Sequence, residues 1–119
     1  MTKIKLKPIL PSLRIKKRYL VFEIISKEKI NDANLVLRTI LHHSLKFLGQ
    51  LEAAKAGIMI LINKWNPQLQ KGIIKINHKH IDAVKSSLIF IEKIDNKEVI
   101  CRSIGISGIL NKVERKYLI

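Results

Sequence analysis

The chain has 119 residues, 47% of them hydrophobic and 27% charged, and its 23 lysines and arginines against nine acidic residues give a net charge of +14 at pH 7. This length suits one domain with one hydrophobic core, and the composition excludes a disordered chain and a membrane protein. No apolar run approaches the roughly 20 residues that span a bilayer, so we expect a cytoplasmic protein without a membrane segment. The excess of positive charge indicates a polyanionic partner, with nucleic acid ahead of an anionic membrane.

The N-terminal stretch has the composition of a basic arm. The first 18 residues contain seven lysines and arginines and no acidic residue. Pro8 and Pro11 disfavour a helix there. We therefore predict an arm over residues 1–17, either bound to the polyanion or merely solvated, and a single domain over residues 18–119.

The domain is predicted to open with a strand and a helix. From Arg18 the segment RYLVFEII alternates at the period of a strand. Asn31 and Asp32 then offer N-caps and Gly49 offers a stop, which predicts a helix from about Asp32 to Leu48. Its core-facing side carries Val36, Leu37, Ile40, Leu41, Leu45 and Leu48, and its opposite side carries a basic stripe of Arg38, His42 and Lys46.

A hairpin is predicted next. The segment from Ala56 to Trp65 has the length and β-branched content of a central strand, and Asn66-Pro67 ends it with a turn. The following stretch KGIIKIN is predicted to pair with it. Because Ile58 to Ile62 is apolar on both faces, we expect a partner protein to cover part of the sheet. The alternative is a cover made by the tail and the C-terminal helix.

The last third is predicted to form a helix, a strand and a final helix. Asn77 can cap a helix with Ile81, Val84, Leu88 and Ile91 along one side, and Asp95-Asn96 forms a turn. KEVICRSIGIS is the fourth strand, and Ser107 can cap the final helix. That helix has an apolar side with Leu110, Val113 and Tyr117 and a basic side with Lys112, Arg115 and Lys116.

The predicted order is βαββαβ, which indicates an α+β protein of the ferredoxin-like, or RRM-like, kind: an antiparallel sheet covered by two helices, here with a basic arm and an extra C-terminal helix. RNA-binding domains of this topology stack bases on aromatic residues in a motif that begins with Lys or Arg, Gly and an aromatic residue. This chain has Lys71-Gly72-Ile73 instead, and only 5% of its residues are aromatic. Recognition of a folded RNA through phosphates and shape is therefore favoured over base stacking.

Residues that could perform chemistry are sparse. The pairs His42-His43 and His78/His80 lack a neighbouring set of metal ligands, and the acidic residues are scattered. No phosphate-binding loop, nucleophile elbow or zinc-protease motif occurs. We predict no catalytic residue, no metal site and no cofactor held by the protein. Cys101 is expected to be a small hydrophobic residue in a strand.

Three stretches together resemble a known family: LPSLRIKKRYLVFEI from Leu10, KWNPQLQKGIIKINHKHIDAVKSSL from Lys64, and IGISGILNKVERKYL from Ile104. They are similar to the archaeal ribonuclease P protein component 2, the counterpart of the small Pop-type subunit shared by eukaryotic ribonuclease P and ribonuclease MRP. The resemblance spans Leu10 to Leu118 and is weakest from Ser26 to Gly57.

The resemblance implies an RRM-like fold and a non-catalytic subunit of ribonuclease P, a particle in which RNA removes the 5′ leaders of precursor tRNA. The implied partners are the ribonuclease P RNA, ribonuclease P protein component 3 with its TIM-barrel-like fold, and other ribonuclease P proteins, with a homodimer left open. Mg²⁺ is then expected to serve the RNA. The residues of this sequence that match the family's motifs are Arg18-Tyr19, Asn66-Pro67, Lys71-Gly72, Ser107-Gly108, Arg115 and Lys116.

Eight cations are the candidate RNA-binding residues: Lys16, Lys17, Arg18, Arg38, Lys46, Lys112, Arg115 and Lys116. We expect Gly72, Gly105 and Gly108 to serve backbone geometry rather than contact RNA. Two other functions stay open. One is a ribosomal or other structured-RNA-binding protein of similar fold, and the other is a ferredoxin-like small-molecule enzyme, which would need a catalytically equipped pocket.

Overall fold

Three helices and five strands alternate along residues 16–118, which are the part of the chain that the computed structural model describes. The predicted arm therefore lies outside the described residues, except for its last two lysines. In chain order the elements are β1 (Lys17–Ser26), α1 (Ala33–Ala56), β2 (Met59–Ile60), β3 (Lys71–Asn77), α2 (Ile81–Ile89), β4 (Lys93–Ile94), β5 (Lys97–Ser107) and α3 (Leu110–Tyr117).

The strands form one antiparallel sheet in the order β2-β3-β1-β5-β4. β1 lies at its centre, paired with β3 on one side and with β5 on the other. The predicted βαββαβ order and α+β class are confirmed, with β4 as an added edge strand. The added strand forms a tight hairpin with β5 through Asp95 and Asn96, whose φ angles of 52° and 64° are typical of such two-residue turns.

Helices α1 and α2 cover one face of the sheet. Alternate residues of β1, Leu20, Phe22 and Ile24, point into this layer and are almost completely buried. Val36 and Ile40 of α1 meet them from above. Each such side chain contributes on the order of 1.5–3 kcal/mol through removal of apolar surface from water.

The intervening residues of the sheet meet the third helix. Val21 of β1 and Ile73 of β3 are fully buried on the second face, where Val113 of α3 packs against them. Leu110 and Tyr117 flank this contact, so the predicted apolar side of the final helix is confirmed. α3 packs closely here, because a Cβ added to Gly105 would lie 2.3 Å from the Tyr117 ring.

Helix α1 is longer than predicted and is broken in the middle. Asp32 caps it as expected, with its carboxylate accepting a hydrogen bond from the Asn34 backbone N–H at 2.9 Å. Gly49 does leave the helical conformation, with φ 81° and ψ 165°, but the helix-forming residues that follow resume it as far as Ala56. Gly57, with φ 57°, provides the actual stop.

The apolar stripe predicted for this helix is only partly buried. Val36 and Ile40 are in the core, whereas Leu41 and Leu45 are 38% and 44% exposed. Buried Ser44 lies nearer the core, with its hydroxyl 3.4 Å from that of Ser87 in α2. The stripe predicted from spacing alone was therefore too wide.

The prediction of a long central second strand was wrong. Ala56 belongs to α1, β2 has two residues at the edge of the sheet, and Ile62–Lys64 forms a single 3₁₀ turn. Ile60 is buried under α1, and Leu61 packs in the cluster beneath α3. The segment therefore meets a core on each face at Ile60 and Leu61, although Met59 stays 58% exposed. The alternative cover by the C-terminal helix applies to Leu61.

The prediction that Asn77 caps the second helix was also wrong. A 3₁₀ turn over His78–His80 precedes α2, and no side chain caps it. The Asn77 amide instead donates a hydrogen bond to the Lys55 carbonyl, which ties the end of β3 to the end of α1. Ser107 accepts a hydrogen bond from the Ile109 backbone N–H, immediately before α3. None of the helices in residues 16–118 is long and apolar enough to cross a membrane.

Candidate nucleic-acid interface

One end of the sheet collects the first group of predicted cations. β1 begins there beside the ends of β3 and β5, with Lys17 opposite Asn77 and Tyr19 opposite Ser107. The His78 backbone N–H donates to the Lys16 carbonyl at 2.8 Å, which extends the pairing by one residue. Lys16, Lys17 and Arg18 are therefore held on a paired strand rather than on a free tail. We call this end of the sheet the basic end.

Two glycines lie directly beneath these side chains. A Cβ added to Gly57 would lie 2.8 Å from the Lys17 ammonium nitrogen, and one added to Gly108 would lie 3.4 Å from the Arg18 guanidinium. The absence of a side chain at Gly57 lets Lys17 lie close over the turn that follows α1, whereas at Gly108 an added Cβ would make only an ordinary contact with Arg18. Gly108 has neither a close neighbour nor a positive φ, so the structure gives no geometric reason for glycine at that position.

The second group of predicted cations lies on α3. Lys112, Arg115 and Lys116 are all exposed, whereas Val113 between them is 2% exposed. The helix starts at the basic end and runs back over the second face of the sheet. An ion pair of 2.7 Å between Glu114 and Lys64 anchors its far half. The three cations therefore stand on a fixed surface.

The third predicted group is separated from the other two. Arg38, His42 and Lys46 are exposed along α1, as the spacing predicted. However, α1 and α3 cover opposite faces of the sheet. The structure brings Lys16, Lys17 and Arg18 together with the start of α3, and it does not bring Arg38 and Lys46 to that surface. A single RNA strand lying on α3 would not reach the α1 stripe without wrapping round the basic end.

The predicted cations are available to an external anion. Within residues 16–118, four lysines and arginines form ion pairs with acidic side chains: Lys55, Lys64, Lys97 and Arg102. None of the eight predicted RNA-binding residues makes one in that part of the chain. Because a cation without an ion pair breaks no such pair when it meets a phosphate, this set is suited to neutralising a polyanion.

Sequence reasoning missed three further cations at the basic end. Lys75 lies opposite Tyr19 in the β1–β3 register, Lys79 is exposed in the 3₁₀ turn, and Lys55 adjoins Asn77 at the end of α1. These three lysines belong to three different elements and are far from Lys17 in sequence. Their proximity to Lys17 therefore becomes visible only in the folded structure. The HKH triplet was the one local signal that marked this turn as basic.

The part of the sheet that lies under α3 is closed to base stacking. α3 covers the face on which related RNA-binding folds hold nucleotides, and its Tyr117 and the Tyr19 of β1 are half-buried in the cluster around Val113. The rings of Phe22 and Trp65, with centroids 5.9 Å apart, pack on the α1 side of the sheet. Contacts to RNA must therefore come mainly from exposed cations.

The histidines engage separate partners. The His78 Nδ1 lies 3.2 Å from the Lys16 carbonyl, and the His80 Nε2 lies 3.2 Å from a Glu52 carboxylate oxygen. The hydrogen bond from His80, with help from nearby Lys55, lowers the pKa of Glu52 below its usual value. In the described part of the chain no three His, Cys, Asp or Glu side chains are grouped so that they could hold a metal ion.

Cys101 lies in β5 and is 3% exposed, in the cluster beneath α1 and α2. Burial raises the pKa of its thiol to about 12, which leaves it protonated and unreactive at neutral pH. The prediction of a small hydrophobic residue in a strand is confirmed.

Comparisons with known proteins agree with the resemblance found in the sequence. Ribonuclease P protein component 2 of Pyrococcus abyssi is 32% identical over 114 residues, which are 96% of this chain and 94% of the relative. The protein of the same name from Methanosarcina mazei is 31% identical over 113 residues, covering 95% and 93%. The predicted family is thereby confirmed.

A chain in the cryo-EM structure of yeast ribonuclease MRP has a similar fold. The superposition has a TM-score of 0.57 at 16% identity and covers 80% of this chain and 76% of that chain. At this identity the likeness concerns the fold alone. The model of one protein family matches residues 18–118, which is nearly the whole domain. The chain therefore belongs to the Rpp14/Pop5 family.

Proposed function

We propose that the chain is a protein subunit of ribonuclease P that binds and supports the catalytic RNA during removal of 5′ leaders from precursor tRNA. The observation that carries this proposal is the match with proteins named ribonuclease P protein component 2 over more than nine-tenths of both chains. The particle would act in the cytoplasm, and Mg²⁺ would be bound by the RNA.

The surface supports a role in binding rather than in catalysis. A folding RNA must bring phosphates together, and cations fixed on a protein scaffold can replace part of the Mg²⁺ that this requires. Among the described residues, Lys16, Lys17 and Arg18 at the basic end and the three cations of α3 make no ion pair with the protein. The hydrogen-bonded pair of His80 and Glu52 in residues 16–118 lies at the surface, with half of the Glu52 side chain exposed, so we expect the RNA to perform the cleavage. Partner proteins would be component 3 and other ribonuclease P proteins, and a homodimer within the particle is compatible with this proposal.

Reconstitution tests the function directly. Ribonuclease P RNA from the same organism would be assembled with its protein subunits, with and without this chain, and cleavage of precursor tRNA followed across Mg²⁺ concentrations. We expect the chain to lower the Mg²⁺ concentration needed for cleavage and to show no cleavage by itself. Cleavage by the RNA-free chain, or a particle unaffected by its omission, would contradict the proposal. Selective binding to ribosomal RNA would favour the ribosomal alternative.

A salt titration tests which surface meets the RNA. The triple variant Lys112→Gln, Arg115→Gln, Lys116→Gln removes three exposed cations from α3. If all three neutralise phosphates, the slope of log K against log salt should shrink by about 2–3 units, at roughly 0.7–0.9 counterions per contact. The variant should unfold at nearly the same temperature as the parent, because exposed helix positions usually matter by under about 0.5 kcal/mol each.

The chain offers a control of equal charge. Lys27→Gln, Lys93→Gln and Lys97→Gln also remove three positive charges, but at the end of the sheet opposite the basic end. We expect the slope of log K against log salt for this variant to be nearly that of the parent. Equal loss of slope in both variants would mean that net charge alone governs binding and that α3 is no specific contact. A separate variant with Lys16, Lys17 and Arg18 replaced by Gln would measure how much the basic end contributes to the salt slope.

A further inference from the structure

A large open cleft in the described structure lies far from the proposed RNA surface. It has a volume of about 1120 Å³ and lies between the end of β1, the C-terminal end of α2 and the β4–β5 hairpin. The strands span about 23 Å between Arg18 at the basic end and Ile25 at the cleft, at roughly 3.3 Å per residue. A ligand in this cleft would therefore not touch the basic end.

Three large apolar side chains converge on the cleft while remaining open to solvent. Ile89 of α2 is 71% exposed, Ile100 of β5 is 62% exposed and Ile25 of β1 is 45% exposed. Ile25 and Ile100 are direct cross-strand neighbours, and buried Ile91 and Val99 line the cleft beside them. A single exposed isoleucine is ordinary, but three that line one cleft are typical of an interaction surface.

The charge around the cleft differs from that of the rest of the protein. Lys27, Lys93 and Lys97 line it together with four of the nine acidic residues, which gives a local net charge of −1 in a chain of +14. The acidic residues are Glu28, Glu92, Asp95 and Glu98. Within residues 16–118 the pair of Lys97 with Glu28, at 3.5 Å, is the one ion pair among them. A phosphate backbone gains nothing from this surface.

We propose that the cleft binds a segment of another protein, which inserts large apolar side chains beside Ile25, Ile89 and Ile100 and carries Lys or Arg on either side. The basic flanks meet Glu92, Asp95 and Glu98, which are exposed and have no ion pair in the described part of the chain. The inference rests on the proposed function, since the particle supplies the partner. A second copy fits poorly, because a symmetric contact would set acidic residues against acidic residues and would join two chains of +14.

Photo-crosslinking in the assembled particle tests the proposal. The tagged full chain carries p-benzoylphenylalanine in place of Ile100, is purified with its particle and is irradiated, and mass spectrometry locates the cross-link. We expect attachment to another protein, within a few residues of a Lys or Arg. The same probe at Ile109, which is 51% exposed at the basic end, serves as the control and should attach to RNA.

Two substitutions separate the apolar and the charged parts of the site. Ile89→Asp should lower the cross-link yield at least tenfold and leave the melting temperature of the isolated chain nearly unchanged, because Ile89 is mostly exposed. Glu92→Lys with Glu98→Lys should also lower the yield, whereas Asp82→Lys on α2 outside the cleft should not. A higher yield with the two reversed charges would mean that the partner segment is acidic and would overturn the proposal.

The remaining outcomes are equally decisive. A cross-link from position 100 to RNA, to this chain or its second copy, or to nothing would each overturn the docking site. The RNA in the purified particle is identified separately. Absence of ribonuclease P RNA there would overturn the proposed function, while a protein cross-link that Ile89→Asp abolishes would still support the cleft.

Discussion

The contact between Gly105 and Tyr117 should be the most sensitive point of the packing between α3 and the sheet. A Cβ at position 105 would lie 2.3 Å from the ring Cζ and Oη and 2.4 Å from Cε2. Ordinary carbon contacts lie near 3.5–4.0 Å, so Gly105→Ala must move the ring or the helix by about 1 Å or more. Overpacking of this kind costs about 1–3 kcal/mol.

The upper end of that range follows from what α3 buries. If the helix is lifted, Val113 loses its contact with Val21 and Ile73, and full exposure of a valine costs on the order of 1.5–3 kcal/mol. A loss of 1–3 kcal/mol should lower the melting temperature of a domain of this size by roughly 4–8 °C per kcal/mol. Urea denaturation and thermal melts would both register it.

A double-mutant cycle distinguishes this steric effect from a backbone effect. Tyr117→Ala removes the ring, and in that background Gly105→Ala should cost under about 0.5 kcal/mol or even stabilise, since alanine restricts the unfolded chain more than glycine does. Gly108→Ala is the matched control, because its added Cβ would be 3.4 Å from a flexible Arg18 side chain. An equal cost of Gly105→Ala with and without the ring would refute the reasoning.

Three further predictions concern single side chains. Asp32→Ala should lower the free energy of unfolding by about 1 kcal/mol in urea, because the α1 N-cap is lost, and an unchanged urea midpoint would contradict the cap. Cys101 should resist thiol reagents near neutral pH until the protein is unfolded. Its raised pKa means that its contribution to stability is complete below pH 9 and is lost as the pH rises toward about 12. His80→Ala should raise the pKa of Glu52 toward 4.5 in an NMR titration, and no change would assign the shift to Lys55 instead.

Periodic elements with one buried side could be predicted from the sequence. β5 and the apolar side of α3 agree with prediction because their side chains alternate between one core and solvent at a fixed period. The cap at Asp32 agrees because its cause is local, between a carboxylate and backbone groups two and three residues away. Local chemistry of this kind does not depend on the tertiary structure.

The prediction of one strand from Ala56 to Trp65 was wrong because of tertiary packing. The apolar residues of this segment read as one strand, yet Ala56 ends a helix, Ile60 enters the core under α1, and Leu61 enters the smaller core under α3. Two cores on opposite sides of a sheet edge draw apolar residues from a run that has no period of its own. Sequence alone does not reveal the second core until α3 is known to lie on the sheet.

For the candidate RNA surface, too, local features could be predicted from the sequence and tertiary proximity could not. The three cations of α3 could be found because they lie opposite a clear apolar side, and Lys16 to Arg18 because they precede a strand. Their proximity could not be predicted, since it depends on the pairing of β1 with both β3 and β5, whose partners lie about 60 and 90 residues away in sequence. For the same reason Lys55, Lys75 and Lys79 were missed, and the sequence did not show that the sheet separates Arg38 and Lys46 from the cations of α3.

The position of α3 also determines what kind of RNA contact is possible. By burying Val21 and Ile73 it removes the sheet face from contact with bases, so affinity must come from charge, and charge contacts weaken as salt rises. The same packing fixes Lys112, Arg115 and Lys116 on a helix that cannot swing away without exposing Val113. A fixed set of cations matches the shape of a folded RNA better than flexible ones, because less side-chain and backbone freedom is lost on binding. The RNA surface proposed for α3 therefore depends on the apolar packing of that helix.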